Sequence, residues 1–239
     1  MDQKVRTRAN PKVQQTVCRS LDRLAFPYIL YEWLSIRLSQ SICAPINLNS
    51  TAAATLLAED CILDEDAITG KSISAALTPI ILKKTTVFGT TDCKTIEADS
   101  CIFNAIVTAA RRQTGCIRFS FVPPGSETPG KYRCQPELEI NTQIEEQSKT
   151  QVLSTAAKAA IRDKVNNWLL PAFTSVEYNH YAYGQLSVNC PAQISTGADN
   201  GSEMGAFNFL QQPQRLANLH IALNEYLPLG LEAGTFYTT

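Results

Sequence analysis

The sequence has few of the residues that metal sites and disulfide frameworks need. It contains two histidines in 239 residues, and its eight cysteines include no Cys-x-x-Cys pair. A zinc site is not expected, because zinc ligands come as clustered cysteines and histidines. The chain is also too long and too poor in cysteine to be a small domain held by disulfides. We predict reduced thiols, a cytoplasmic location, no metal and no cofactor.

Long hydrophobic runs and a strong net charge are also missing. The most apolar early stretch, residues 25–36, is interrupted by Pro27 and Glu32, whereas a membrane span needs about 20 apolar residues. The formal net charge of −1 leaves the whole chain without a basic footprint for nucleic acid. Residues 1–40 carry seven Lys and Arg against three acids, and residues 173–239 carry one Arg against five acids. This asymmetry favours docking between oppositely charged protein surfaces.

A short pattern repeats between residues 56 and 121. Residues 56–64, 81–89 and 96–104 align without gaps, and a weaker copy centres on residues 116–117. Repeats of this length are typical of stacked β units, because one short strand cannot bury its own face. The alignment predicts two columns of equivalent side chains: Cys61/Thr86/Cys101/Cys116 and Ile62/Val87/Ile102/Ile117.

The fold class expected from this repeat is mixed β and α. It is a short right-handed parallel β-helix with N-terminal helices and a helical C-terminal region. A sandwich of short strands is the alternative. Residues 43–140 would form the stacked β region, and residues 141–239 an α-rich region packed on it.

Residues 1–42 are predicted to be a basic helical arm or cap. Val17, Leu21 and Leu24 fall on one helical face, and a second helical piece covers residues 28–38. A cap over an open end of the β stack is favoured over attachment to a membrane surface or a docking helix, because unpaired strand edges invite aggregation.

The C-terminal region contains two predicted helices. Residues 141–150 are polar and typical of a linker, and an apolar stripe predicts a helix over about 150–170. Residues 213–227 predict a helix that starts at a proline, with Leu216, Leu219, Leu223 and Leu227 on one face. Residues 231–237 would close the chain as a short strand or docked tail.

A basic segment spans residues 111–133. Arginines here could form an anion or oligosaccharide site together with Phe119 and Tyr132. Pairing with carboxylates on a neighbouring layer or partner is favoured instead. The basic residues concerned are Arg111, Arg112, Arg118, Lys131 and Arg133.

Two acidic turns contain carboxylates and are therefore candidates for cation sites. Asp64, Glu65 and Asp66 lack the spacing of a calcium loop, so a solvated turn is expected. Residues 197–207, which include Asp199 and Glu203, form a glycine-rich turn that could chelate a cation or cap the following helix. The cap is favoured. No catalytic residue is assigned, because His180 and His220 have no acid or nucleophile at a diagnostic spacing. The interaction candidates are Arg111, Arg112, Arg118, Arg133, Tyr132, Asp199 and Glu203.

Four strings carry a family resemblance: residues 112–120 (RQTGCIRFS), 132–136 (YRCQP), 201–207 (GSEMGAF) and 227–239, which contains GLEAGTFY. They resemble a bacterial family of phage-tail-like proteins with a β-helix, associated with contractile injection systems. The similarity covers roughly residues 45–239. It implies architecture more than role, and it supplies no catalytic residues.

The resemblance implies a non-enzymatic structural or adaptor subunit of a phage-tail-like contractile assembly, around the baseplate or tail tip. Its partners would be other subunits of that assembly. One alternative is a carbohydrate-active lyase or glycoside hydrolase that uses Asp60, Asp99 and Arg118, because such enzymes need carboxylates on one face. A glycan-binding module is the other alternative, based on the aromatic residues Trp168, Tyr178, Tyr181 and Tyr183.

Overall fold

The protein is represented by a computed structural model that describes residues 35–48, 55–149, 151–228 and 231, and the backbone of residues 16–18. These residues contain thirteen strands, four α-helices and one short 3-10 helix, Asn208–Leu210. The strands are β1 Thr16–Cys18, β2 Ser35–Ser39, β3 Ser41–Cys43, β4 Ile46–Asn47, β5 Thr55–Glu59, β6 Ile62–Leu63, β7 Lys71–Lys83, β8 Thr86–Val87, β9 Thr90–Asp99, β10 Ile102–Phe103, β11 Val107–Ala109, β12 Gly115–Arg118 and β13 Gly130–Tyr132. The helices are α1 Glu137–Ser148, α2 Thr155–Trp168, α3 Ala192–Ser195 and α4 Gln212–Tyr226.

The strands form two sheets. The larger has eight strands in the order β13-β12-β9-β7-β5-β2, with β11 paired to β9 and β4 paired to β7. The smaller has five strands in the order β1-β3-β6-β8-β10. Every pair between these named strands is parallel. Parallel strands are usually buried, and side chains such as Leu56, Ile80 and Ile96 are fully covered at neighbouring positions.

A single left-handed residue follows each of the six strands β2, β5, β7, β9, β12 and β13 of the larger sheet. Six residues with φ between 46° and 55° hold these bends: Gln40, Asp60, Lys84, Ser100, Phe119 and Arg133. The bends stack on one another through backbone hydrogen bonds. Asp60 N–H donates to Lys83 O (3.1 Å), and Lys84 N–H donates to Asp99 O (2.8 Å). The left-handed conformation costs an L-residue about 1 kcal/mol, and these stacked hydrogen bonds offset that cost.

A small hydroxyl or thiol follows every bend. In each case the side chain donates to the backbone carbonyl two residues earlier, over distances of 2.6–3.5 Å. A short side chain can turn back onto its own backbone in this way, and the hydrogen bond satisfies a polar group at the bend. The six residues are Ser41, Cys61, Thr85, Cys101, Ser120 and Cys134. We call them the bend column.

The prediction of a short right-handed parallel β-helix is wrong. The described residues form an α/β fold with an eight-stranded parallel sheet, a second parallel sheet and four helices. The nine-residue repeat had been interpreted as one unit of a uniform stack. It instead contains the end of a strand of one sheet, a bend, and the start of a strand of the other sheet. The helices add a further core that the repeat did not predict.

The predicted columns are also wrong in register. Ile62 pairs with Thr86 and Thr86 with Ile102, so Val87 lies in the next column, between Leu63 and Phe103. The fourth copy fails as well, because Cys116 pairs with Glu97 in the larger sheet and Ser120 occupies the bend column. The positions of the bends set the register, whereas the alignment matched apolar residues.

Where the structure describes residues of the predicted N-terminal helices, those residues form strands. Residues 16–18 form β1, which pairs with β3, and residues 35–39 form β2, which pairs with β5. The prediction that Val17 and Leu38 lie in helices is therefore wrong. Ile36 and Leu38 lie two apart and both pack against the core, a spacing that suits a strand. The remainder of the proposed arm lies outside the described residues.

The C-terminal helices were predicted more successfully. Helix α2 confirms the helix expected over about 150–170, and Ser154 caps it by accepting from Ala157 N–H (3.2 Å). Helix α4 confirms the helix expected over 213–227. The prediction of a linker over residues 141–150 is wrong for most of that range, because helix α1 extends to Ser148. Helix α1 buries only Ile140, so its sequence has little apolar periodicity. Apart from Leu231, the expected closing strand lies outside the described residues.

Three apolar clusters hold the described residues together. The first lies within the sheets and contains Leu56, Ile80, Ile96 and Phe103. The second joins Ile102 and Phe121 to helices α1 and α2 through Ile140, Ile161 and Val165. The third is built around Phe88 and Tyr183. No helix among the described residues is long and apolar enough to cross a membrane.

The thiols with described side chains are free, and six of these seven are buried. Burial raises the pKa of the Cys101 thiol to about 12 and that of Cys134 to about 11. Because the thiolate is the reactive form, these cysteines act as small, inert packing residues.

Candidate functional site

Alternating charges run along the strand ends next to the bends. Glu59, Lys83, Asp99 and Arg118 lie in register on neighbouring strands, with Tyr132 next to Arg118. Arg118 Nη2 lies 2.9 Å from Asp99 Oδ2, and the two side chains are 55% and 30% exposed. Opposite charges on paired strands stabilise a sheet by up to about 1 kcal/mol each. The row therefore supports the sheet.

The basic interaction candidates lie partly in this row. Arg112 Nη2 is 3.8 Å from Glu127 Oε2, and Lys131 Nζ is 2.6 Å from Glu137 Oε1. The Arg133 guanidinium carbon lies 5.9 Å from the centre of the Tyr132 ring. Arg111 is exposed nearby in sequence. The structure thus brings Arg118, Tyr132 and Arg133 together. Three basic side chains of the segment, Arg112, Arg118 and Lys131, pair with carboxylates.

The acids considered for glycoside chemistry do not form a carboxylate pair. The Asp99 carboxylate accepts from Arg118 and from the Ser100 hydroxyl (3.0 Å). Asp60 lies at a bend two strands away, and the layer of Lys83 and Lys84 separates it from Asp99. Burial raises the pKa of Asp60, while Lys84 acts in the opposite direction. The paired geometry that such a reaction requires is not built from these two acids.

The aromatic residues considered for glycan binding play different parts. Tyr183 is 4% exposed and packs against Phe88 at 5.3 Å between ring centres. Burial raises the pKa of the Tyr183 hydroxyl, and the nearby Asp64 carboxylate adds to the rise. Tyr181 is exposed and stacks on His180, whose Nδ1 accepts from Ala182 N–H. Trp168 ends α2. Tyr178 meets Tyr183 edge-on, with 5.9 Å between ring centres, so the structure brings these two rings together.

The segment 197–207, which we call the glycine loop, docks on the smaller sheet. Gly205 N–H donates to Ser100 O (2.8 Å), and Ala206 N–H donates to Thr86 Oγ1 (3.0 Å). Asp199 N–H donates to Ser100 Oγ (3.4 Å), and the Asp199 side chain is exposed. Glu203 is only 5% exposed. The predicted cap is wrong, because α4 begins after Gln211, whose side chain makes no capping hydrogen bond.

The interpretation of this loop as a cation site is not supported by a cluster of metal ligands. Within the described part of the chain, no group of three or more His, Cys, Asp or Glu side chains is placed to hold a metal ion. The turn at residues 64–66 fits the prediction of a solvated turn. The Asp66 carboxylate accepts hydrogen bonds from Ile68 N–H and the Thr69 hydroxyl. Those two hydrogen bonds lower the pKa of Asp66.

Replacing Gly205 by alanine is expected to reduce the free energy of unfolding by about 2 kcal/mol. Gly205 has φ +89°, and a Cβ there would lie 2.5 Å from Thr86 Oγ1 and 3.0 Å from Ile102 Cδ1. The loop would have to move away from the sheet and lose its hydrogen bond to Ser100. Urea unfolding of both proteins measures the difference.

Gly201→Ala is the matched control for that variant. Gly201 has φ +70°, but a Cβ there would meet only Gln214 Nε2, at 3.7 Å. The Gly201→Ala variant therefore measures the cost of an alanine at a positive φ without a clash against the sheet. Equal losses in the two variants would mean that contact with the sheet does not hold the loop.

Helix α4 carries the least covered apolar surface of the described helices. It has no buried residue. Leu216 and Leu223 are half-buried, Leu219 is 43% exposed and Tyr226 is 82% exposed. These four side chains recur at alternating spacings of three and four, so they share one face. We call them the α4 face. Large apolar side chains that share one helix face and are only partly covered are typical of a protein-binding surface.

The α4 face is not among the interaction candidates predicted from the sequence. Three of its leucines were predicted to share one side of a helix, but their exposure was not predicted. The signal was present in the spacing of Leu216, Leu219, Leu223 and Tyr226 in a helix with few charges. The repeat placed Cys61 and Cys101 of the bend column together, but it put Thr86 and Cys116 where the structure has Thr85 and Ser120.

Comparison of the chain with protein-family models, with curated proteins and with solved structures finds no match.

Proposed function

We propose that this protein is a non-enzymatic structural subunit that docks through the α4 face to another subunit of a phage-tail-like contractile assembly, around its baseplate or tail tip. The observation that carries the docking role is the partly exposed apolar face of α4, where Leu219 and Tyr226 are exposed beside two half-buried leucines. The contractile assembly comes from the sequence resemblance. A cytoplasmic location belongs to the same proposal and suits the free thiols.

The partner surface is expected to be an apolar groove or helix. The α4 face presents Leu219 and Tyr226 with half-buried leucines between them. An amphipathic helix of this kind binds by placing its apolar row in a groove. Exposed aromatic residues often supply the dominant contacts of an interface, so Tyr226 is expected to be an anchor.

The rest of the described structure suits a rigid support for this helix. The stacked bends, the column of small side chains and the alternating charges fix the sheets. The glycine loop and the Gln214 side chain, which donates to Asn200 O (3.1 Å), tie the start of α4 to that support. A docking helix on a rigid base loses less conformational entropy on binding.

Leu219→Glu is expected to reduce recovery of the partner at least tenfold. A carboxylate on the α4 face would have to be buried without a counter-charge when the partner docks, and tenfold corresponds to only about 1.4 kcal/mol. The measurement is purification of the tagged chain from a native source under gentle lysis, with mass spectrometry of what accompanies it. The wild-type chain should bring sheath, tube or baseplate proteins.

Asn218→Glu is the control. It adds the same charge to an exposed position of α4 on the side away from the α4 face, and its recovery should stay within about twofold of wild type. Purification of the wild-type chain as a free monomer would contradict the proposal. So would equal losses in the two variants.

A further inference from the structure

The carboxyl group of Glu203 is buried where the glycine loop meets the core. Glu203 is 5% exposed, and its Oε1 has no hydrogen-bond partner among the described residues. Its neighbours in the chain, Ser202 and Met204, are 0% and 1% exposed. Burying an ionised carboxylate without a partner costs several kcal/mol, so such a group is normally neutral or is paired. Glu203 is not itself one of the residues of the α4 face.

The backbone around Glu203 leaves its side chain little freedom to reach water. Met204 N–H donates to Ile194 O (3.1 Å), and Gly205 N–H donates to Ser100 O. The buried Asn208 side chain donates to the backbone oxygen of Glu203 itself (2.7 Å). The residue is therefore held on both sides, and its buried Oε1 can gain a water partner only if the loop moves.

Among the described residues, no charged group compensates the carboxylate. Burial raises the pKa of Glu203 to about 7, and no nearby charge contributes to that rise. The titratable neighbour is the Cys190 thiol: burial raises its pKa, and the Glu203 charge adds to the rise. Two other acids near the loop's contacts have partners of their own. Asp99 binds Arg118, and Glu139 accepts from Gln143 and Gln193.

We propose that protonated Glu203 holds the glycine loop against the smaller sheet and that its ionisation releases the loop together with the start of α4. Neutral Glu203 fits a buried site without a partner for Oε1, whereas the ionised form favours states in which the loop is open to water. The loop contacts the sheet through the amides of Gly205, Ala206 and Asp199. Release of these few contacts is a local event, and the sheets stay folded.

The sign of the pH effect follows from the pKa. A carboxyl group whose pKa is raised in the docked state binds more protons there than in the open state. The docked state is therefore most favoured below about pH 4.5, where Glu203 is protonated in both states. It loses that advantage as the pH rises to about 7 and changes no further above it.

Hydrogen exchange of the wild-type chain tests the proposal. The amides of Met204, Gly205 and Ala206 should lose roughly a hundredfold in protection factor between pH 5 and pH 8. The amides of Asp60 and Lys84, which bond across the stacked bends, should change little over this range. They are the internal control.

Two variants separate Glu203 from other acids. Glu203→Gln should remove most of the pH dependence of the three loop amides. Asp199→Asn removes an exposed acid from the same loop and should leave the dependence intact. Wild-type protection that does not change with pH would overturn the proposal, and so would an unchanged dependence in Glu203→Gln. Should that variant fail to fold, ¹³C NMR titration of the wild-type carboxyl group decides: a pKa below 5 overturns the proposal, and one near 7 supports it.

Discussion

Replacing Gly115 by alanine is expected to lower the free energy of unfolding by about 4 kcal/mol, or to prevent β12 from pairing with β9. Gly115 begins β12 and lies opposite Ile96. Its φ is +102°, and a Cβ at this position would overlap the carbonyl oxygen of Ile96. Two separate costs therefore act together, one from backbone strain and one from a clash with backbone that cannot turn aside.

The damage should extend beyond the first residue of β12. Ile117 is fully buried and pairs with Ala98, while Arg118 pairs with Asp99 and forms the ion pair with it. Moving Gly115 away from β9 displaces both of these contacts. Urea unfolding followed by circular dichroism would measure the change in free energy, and soluble yield would report complete failure to fold.

Gly130→Ala provides the matched control. Gly130 begins β13, one strand further along, and a Cβ added there meets nothing within 4 Å. This variant should stay within about 0.5 kcal/mol of wild type. A small loss for Gly115→Ala, similar to that of Gly130→Ala, would mean that β12 does not lie as close to β9 as the structure places it.

Apolar periodicity was a reliable guide for two of the helices. Helix α2 buries Ile161 and Val165, and its flanking signals include the capping Ser154. Helix α4 begins with a proline in its first turn. The nine-residue repeat likewise located strands β5, β7 and β9. In each of these segments the local pattern agrees with the final packing, which is the condition under which sequence patterns predict structure.

Strand register could not be predicted because the bends have no ordinary turn signal. Left-handed residues are usually glycine or asparagine, yet none of the six bend residues is either. What they share is a following Ser, Cys or Thr that bonds back to the backbone, as in Lys83-Lys84-Thr85 and Asp99-Ser100-Cys101. Matching these triplets would have paired Thr85, and not Thr86, with Cys101.

The docking of the glycine loop lay beyond any local pattern. Its contacts join Gly205 to Ser100 and Ala206 to Thr86, which are far apart in sequence. The residues at 16–18 and 35–39 show a related problem. Their apolar positions fit both a helix and a strand, and pairing with β3 and β5 decides for the strand.

The bend column leads to the second large effect, at Cys101. Cys101→Leu is expected to lower the free energy of unfolding by about 3 kcal/mol, because a larger side chain overpacks the site and cannot donate to the backbone. Cys101 is 0% exposed, and its thiol donates to Asp99 O (3.3 Å). Its backbone amide donates to Ser120 Oγ in the next layer (3.0 Å). Cys101→Ser should cost less than about 1 kcal/mol, because serine fills the equivalent place at Ser41 and Ser120.

Cys116→Leu tests whether this effect belongs to the column. The sequence alignment placed Cys116 in line with Cys101, but in the structure Cys116 is half-buried on β12 and pairs with Glu97. Leucine at position 116 should therefore change the free energy of unfolding by less than about 1 kcal/mol. Chemical unfolding of the three variants at equal protein concentration distinguishes the two registers. If leucine is as costly at 116 as at 101, the bends do not define the column; if serine at 101 is as costly as leucine, the hydrogen bond to Asp99 O is not what selects small hydroxyls and thiols there.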